Sequence, residues 1–194
     1  MPESPLTAER ILAAAEDILR RYGPAKATVS DLARALGVSH GSIYRYFDNK
    51  SALRDAVIER WLAATTEPLI AISQETGPAP ERLGRWLRSL VEAKHRRALD
   101  DPEFFATYLE LRAEAREVIQ AHVESLIDQI THIIADGCAQ GAFTVPDPAI
   151  AARAVLHATA RFHSPAYASE WKNLAPDDFE QVWALIAAGL SAPR

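Results

Sequence analysis

The residues best equipped for chemistry lie close together. From His40 to Lys50 the chain reads HGSIYRYFDNK, which brings an imidazole, a hydroxyl, two phenols, a guanidinium and an ammonium into one short stretch. Only Ile43 and Phe47, four apart, are apolar enough to anchor it. Donors of this kind, on a helix with its own anchor, suit recognition of an acceptor-rich surface. The base edges in the major groove of DNA offer such acceptors, and the first turn of an inserted helix can reach them. His40, Gly41 and Ser42 are therefore the candidate base-reading residues. Gly41 weakens a helix by roughly 1 kcal/mol relative to alanine, which makes sense where something must approach the backbone closely. A polar surface helix on an ordinary bundle would show the same composition, and that alternative stays open at this point.

Such a segment needs a platform, and the preceding residues supply one. Thr28 stands before an apolar-periodic run, with Asp31 three residues on, which is the pattern of a capping box. Val29, Leu32, Ala33 and Leu36 then recur at helical spacing. Gly37 supplies the positive φ of a sharp helix end, and Ser39 is a good N-cap for a second helix over residues 40–47. Two short helices joined around a glycine form a helix-turn-helix. Upstream, Thr7 caps a first helix whose Ile11, Ala14, Ala15, Ile18 and Leu19 form a buried face, with Leu6 stapled onto Ile11. Residues 1–5 read as a short polar arm without lysine or arginine.

GVSHGSIYRYFDNKSAL, preceded by TVSDLARAL, resembles the signature of TetR-family transcriptional regulators. The resemblance points to the same base-reading positions, His40, Gly41 and Ser42. It implies that Thr28, Tyr44, Tyr46 and Lys50 hold DNA phosphates, through a helix N-terminus, phenol hydroxyls and an ammonium. For Tyr46, packing beside Phe47 is the competing reading. The family's C-terminal helices enclose a pocket for a small effector that releases the repressor from DNA. Trp61, Tyr108, Arg112, His122 and His163 place polar groups within apolar stripes and are the pocket candidates. His122, four residues from both Val118 and Leu126, equally fits a satisfied core histidine.

The 194 residues suffice for a substantial core and one or two domains, with 48% hydrophobic and 24% charged residues. No apolar run is long enough to span a membrane. The N-terminus has no signal-peptide pattern, and the one cysteine suits a reducing cytoplasm. Net charge is −5, yet residues 20–50 carry 6 Lys/Arg against 2 Asp/Glu, so the positive charge gathers around the proposed reading helix.

After Asp48-Asn49 a fourth helix begins at Lys50 and runs to about Ser73, a natural transmission rod between domains. Thr76-Gly77-Pro78-Ala79-Pro80 breaks the chain. A fifth helix follows, with Leu83, Trp86, Leu87, Leu90 and Leu99 assigned to one face, and Lys94-His95-Arg96-Arg97 assigned to its solvated end. Asp101-Pro102 caps an aromatic-rich helix that continues past a kink, and Gly137 and Gly141 close it. The last two long helices are expected over Pro148–His163 and Asp177–Leu190, with a loop or short turn between them. They are expected to form a symmetric dimer interface through Val155, Phe179, Val182, Trp183, Ile186 and Leu190, with ordinary intrachain packing as the alternative.

The expected fold is all-α with about nine helices: a DNA-binding helix-turn-helix domain over 1–50 and an effector-binding and dimerisation domain over 51–194. No nucleophile motif, phosphate loop, metal spacing or cofactor fingerprint appears, so no cofactor or metal is expected. The expected function is a cytoplasmic, homodimeric DNA-binding regulator, released from a palindromic operator by a small effector. An effector-independent DNA-organising protein is the alternative, with an all-α enzyme a remote third.

Overall fold

The computed structural model describes residues 5–191, so the expected polar arm lies, apart from Pro5, outside the described residues. Among them are ten α-helices, one 3-10 helix and no strand, with a single isolated bridge between Phe143 and Ser191. The helices are α1 (Ala8–Tyr22), α2 (Val29–Leu36), α3 (His40–Tyr44), α4 (Lys50–Gln74), α5 (Ala79–Asp100), α6 (Pro102–Leu111), α7 (Arg116–Ala139), α8 (Pro148–Ala158), α9 (Ala160–His163) and α10 (Asp178–Leu190). The fold is all-α, with a helix-turn-helix near the N-terminus. No helix among the described residues is long and apolar enough to cross a membrane.

The chain divides into two compact units, one of residues 1–62 with 101–120 and the other of residues 63–100 with 121–194. The boundary expected at residue 50 falls at the first residue of α4, whereas the first unit extends to Leu62. In that unit α1 packs against both α2 and α6, and α2 against α3. Ile11 of α1, Leu32 and Ala33 of α2, Ile43 of α3, and Val57, Ile58 and Trp61 of α4 are buried. Arg20 of α1 meets Asp101 in a two-pronged ion pair, Nε to Oδ1 at 2.9 Å and Nη2 to Oδ2 at 2.7 Å. Asp101 also caps α6 by accepting from the Phe104 N–H, so one carboxylate starts the helix and ties it to α1.

The second unit is built around Leu83, Trp86, Leu87 and Leu90 of α5 and Leu126, Ile130, Ile133 and Ile134 of α7. Ala152, Val155 and Leu156 of α8 and Leu190 of α10 complete this core. A Cβ at Gly84 would come within 2.9 Å of the Trp183 ring, so the glycine lets α10 lie close on α5.

Several helix limits differ from expectation. α3 ends at Tyr44 and not near Phe47, although the Phe47 N–H still donates to the Ile43 carbonyl at 3.2 Å. Asn49 accepts from the Ala52 N–H at 2.9 Å, and capping α4 in this way requires the chain to leave helical geometry first. The helix expected over Pro148–His163 is two. The Thr159 hydroxyl bonds back to the carbonyls of Val155 and Leu156, and its backbone departs from the helix with ψ near 1°. The expected loop after Ser164 is a 3-10 helix, Pro165–Asn173. Gly137 does not close α7; it lies inside the helix, where the Phe143 ring covers it.

The fifth helix requires two corrections. Leu99 is 79% exposed because nine residues from Leu90 is about half a turn around a helix of 3.6 residues per turn. The basic run is not a solvated end. Lys94 is buried, and His95 stacks on Trp171 with ring centroids 4.4 Å apart.

Candidate nucleic-acid interface

The turn between α2 and α3 is built as its residues dictate. Thr28 caps α2 by accepting from the Asp31 N–H, and the Asp31 carboxylate accepts the Thr28 hydroxyl proton at 2.6 Å. These bonds, chiefly the hydroxyl and then the Thr28 backbone and Arg34, hold the Asp31 carboxyl below its usual range. Gly37 sits at φ 67°, in the left-handed region open to glycine, and turns the chain out of α2. Ser39 then caps α3, accepting from the Ser42 N–H.

On α3, Ile43 is fully buried and its neighbours point outward. His40 and Gly41 are exposed, and Ser42 is half-buried with its Oγ 2.9 Å from Ser39 Oγ. A Cβ on Gly41 would meet only Ser39 Oγ, at 3.7 Å. The chain's own packing does not demand a glycine there.

Four positions were expected to hold phosphates. Tyr44 is 41% exposed, its hydroxyl without a partner among the described residues; Thr28 and Lys50 are exposed. Of the two readings of Tyr46, core packing is not what the structure shows. The residue is 45% exposed, and its hydroxyl donates to the Leu6 carbonyl at 2.6 Å. The phenol ties the approach to α1 onto the end of α3. Arg45, not among the expected contacts, is exposed and has no charged partner among the described residues. Its place directly after α3, beside two phenols, was the available signal.

The five pocket candidates fall in two units. Trp61, Tyr108 and Arg112 belong to the first. Trp61 and Tyr108 lie ring against ring at 4.6 Å, with Phe104 and Phe105 close by. Burial pushes the Tyr108 phenol up, opposed by the Arg112 charge. An apolar cavity of about 440 Å³ in this unit is lined by Leu32, Leu53 and Leu111, with Thr28, Lys50 and Arg54. None of the three candidates lines it.

His122 and His163 belong to the second unit, and there the structure supplies a partner missed in the sequence. Lys94 Nζ lies 2.9 Å from His122 Nε2. His163 Nε2 lies 3.2 Å from both Thr159 Oγ1 and the Leu156 carbonyl. Burial, and then the charge of Arg97, pushes Lys94 down to about 8. Burial, followed by the charges of Lys94 and then His163, pushes His122 down to about 3. Burial and then Lys94 push His163 down to about 4, against a bond to Leu156 that acts the other way. Leu83, Leu87, Leu90 and Lys94 fall at i, i+4, i+7 and i+11, so the apolar stripe itself pointed to a buried lysine.

Part of the stripe assigned to a dimer partner is taken up within the chain itself. Val155 and Leu190 are 3% and 7% exposed within the chain's own core, and Phe179, Trp183 and Ile186 pack against that core. Val182 is half-buried. The outward faces carry other residues, with Leu185 78% and Ile150 69% exposed.

A family model described as "Bacterial regulatory proteins, tetR family" matches residues 11–57, spanning α1 to the start of α4. A second, "Tetracyclin repressor-like, C-terminal domain", matches residues 79–183. The chain belongs to the TetR family. Over 119 residues this TetR-family protein is 36% identical to an HTH-type transcriptional repressor of Mycobacterium tuberculosis, covering 58% of this chain and 63% of that one. It spans only 27% to 63% of the length of the first curated relatives it matches. A Rhodococcus protein of unknown function shares the fold at TM-score 0.71 and 25% identity, with 99% of this chain and 100% of that one covered. The Bacillus subtilis regulator FadR, solved in complex with stearoyl-CoA, shares the fold at TM-score 0.66 and 21% identity, with 95% and 100% covered.

Proposed function

We propose that the protein is a homodimeric, ligand-responsive transcriptional repressor. One α3 per subunit enters the major groove at each of two half-sites of a near-palindromic operator. His40, Gly41 and Ser42 read base edges, while Thr28, Tyr44 and Lys50 hold phosphates. Tyr46 joins them only by giving up its bond to Leu6, since a phenol has one proton to donate. A small effector bound by the helical region over 51–194 shifts the dimer to a state that no longer fits both half-sites. Such a shift requires different affinities for the two states.

The observation that carries this reading is the unspent chemistry of α3. Its anchor, Ile43, is fully buried, while His40, Tyr44, Arg45 and Lys50 are exposed around it, their donors uncommitted among the described residues. The repressor among the relatives supports the direction of regulation. The stearoyl-CoA held by FadR supports a ligand-binding role for the fold without naming a ligand here.

In vitro selection from a random duplex pool tests the reading. The expected product is an inverted repeat with half-sites about one helical turn, or a multiple of it, apart. A pool with no enriched sequence would overturn it. On the selected duplex, Lys50→Ala weakens specific and random binding by similar factors and flattens the salt dependence by about 0.9 unit of slope. Ser42→Ala instead relaxes preference at one symmetric base pair, at a cost of about 1 kcal/mol. Gly41→Ala leaves the fold intact, because among the described residues the added methyl meets Ser39 Oγ at ordinary contact distance, and lowers operator affinity.

A further inference from the structure

We propose that Lys94, framed by His122 and His163, is the headgroup clamp of a site for an amphipathic monocarboxylate. The inference rests on the ligand-responsive reading above and names the class of ligand. Lys94 is 5% exposed, and its only hydrogen-bond partner among the described residues is the imidazole of His122. No carboxylate among the described residues is paired with it. The charge that acts on it is that of Arg97, another cation. A buried charge is retained at a cost unless it is paired, and a leucine or methionine would continue the stripe of Leu83, Leu87 and Leu90 without that cost.

The neighbouring groups are disposed to leave an anion unopposed. His163 Nε2 is committed to Thr159 and Leu156, and both histidines resist protonation, so neither brings a second positive charge. One cation among neutral donors and acceptors matches one negative charge. That favours a carboxylate over a dianionic phosphate. The surroundings favour an apolar body: Leu90 lies one turn before Lys94, Leu126 one turn after His122, and Phe162 beside His163, all buried. His122 itself is half-buried, so this member of the cluster reaches the surface. The frame is fixed by His95, whose Nε2 lies 2.8 Å from the Phe162 carbonyl oxygen and holds α5 to α9.

Sodium octanoate, below its micellar concentration, is the probe, with octan-1-ol, octylamine and octyl phosphate as controls on the DNA-free protein. Octanoate raises the melting temperature and titrates calorimetrically to one per chain; the alcohol and amine do not. Lys94→Met weakens octanoate binding at least about tenfold, while its own melting temperature equals or exceeds that of the wild type. Lys94→Gln carries the same comparison should the methionine variant not fold. The site is overturned if octanoate fails to bind, if it binds both proteins alike, or if the alcohol matches it. Tighter binding of octyl phosphate overturns the monocarboxylate class. Release of the selected duplex is measured separately. Octanoate that binds through Lys94 yet leaves DNA bound supports the site and counts against the effector reading alone.

Discussion

At the scale of single residues, a side chain's charge state depends on what surrounds it more than on its type. His122 and His163 are both held well below the usual imidazole range by burial first and by Lys94 second. The unfolded chain takes up protons at these histidines near pH 6.5, whereas the native chain resists until about pH 3 to 4. Depressed native values mean that stability is intact above pH 6.5 and is lost as pH falls below it. The conservative variant His122→Gln, which can still accept from Lys94, removes one such proton. Urea unfolding at pH 7 and pH 5 is expected to show the acid loss reduced by about 1–2 kcal/mol in that variant. An equal loss in both proteins would place the acid sensitivity elsewhere. Lys94 acts in the same sense at alkaline pH: its depressed value makes stability rise between about pH 8 and 10.5.

At the scale of elements, helix ends carry much of the specification, and one of them does two jobs. Asp101 caps α6 and also pairs with Arg20 of α1 through both oxygens. The two contributions separate by substitution. Asp101→Asn keeps an acceptor for the Phe104 N–H but loses the charge pair, costing about 1 kcal/mol once the partial exposure of Arg20 is discounted. Asp101→Ala loses the cap as well and costs about 2 kcal/mol in all. Equilibrium urea unfolding of the two variants checks this. Equal costs would mean that the cap contributes nothing. The same logic accounts for the break at Thr159, where one hydroxyl competing for two backbone carbonyls splits a long apolar run into α8 and α9.

At the scale of the whole molecule, the proposed dimer must use surface that the single chain leaves over. Val155 and Leu190 are already in the core, and Trp183 lies over Gly84, so substitutions there damage the fold before they report on assembly. The outward face of α10 presents Leu185, with Ala184, Ala188 and Gly189 exposed beside it. On α8, Ile150 and Ala154 are exposed. An exposed large apolar side chain among small ones suits close helix approach between subunits. Leu185→Asp is therefore expected to leave thermal stability at low concentration nearly unchanged and to convert the dimer to a monomer. Sedimentation velocity at micromolar concentration distinguishes the outcomes. A wild-type monomer, or a dimer indifferent to Leu185→Asp, would rule out this face.

The sequence by itself determined the local features. Thr7, Thr28, Ser39 and Asp101 each cap the helix that their position announces, because capping is an interaction across three or four residues. Gly37 marked its own left-handed turn, and the helix-turn-helix followed from those signals together. What only the tertiary structure decided was which partner each face meets. Periodicity shows that Phe179, Trp183, Ile186 and Leu190 share a side of α10, but not whether α5 of the same chain or a second subunit covers it. It likewise placed Tyr46 beside Phe47 without showing that its hydroxyl would find Leu6, 40 residues away in sequence. Lys94 stood both in line with an apolar stripe and in a basic run, and the packing of α5 against α7 and α9 decided between the two by burying it. Hydrophobic burial has no direction along the chain, so an apolar stripe states that it will be covered and leaves the identity of the cover to the fold.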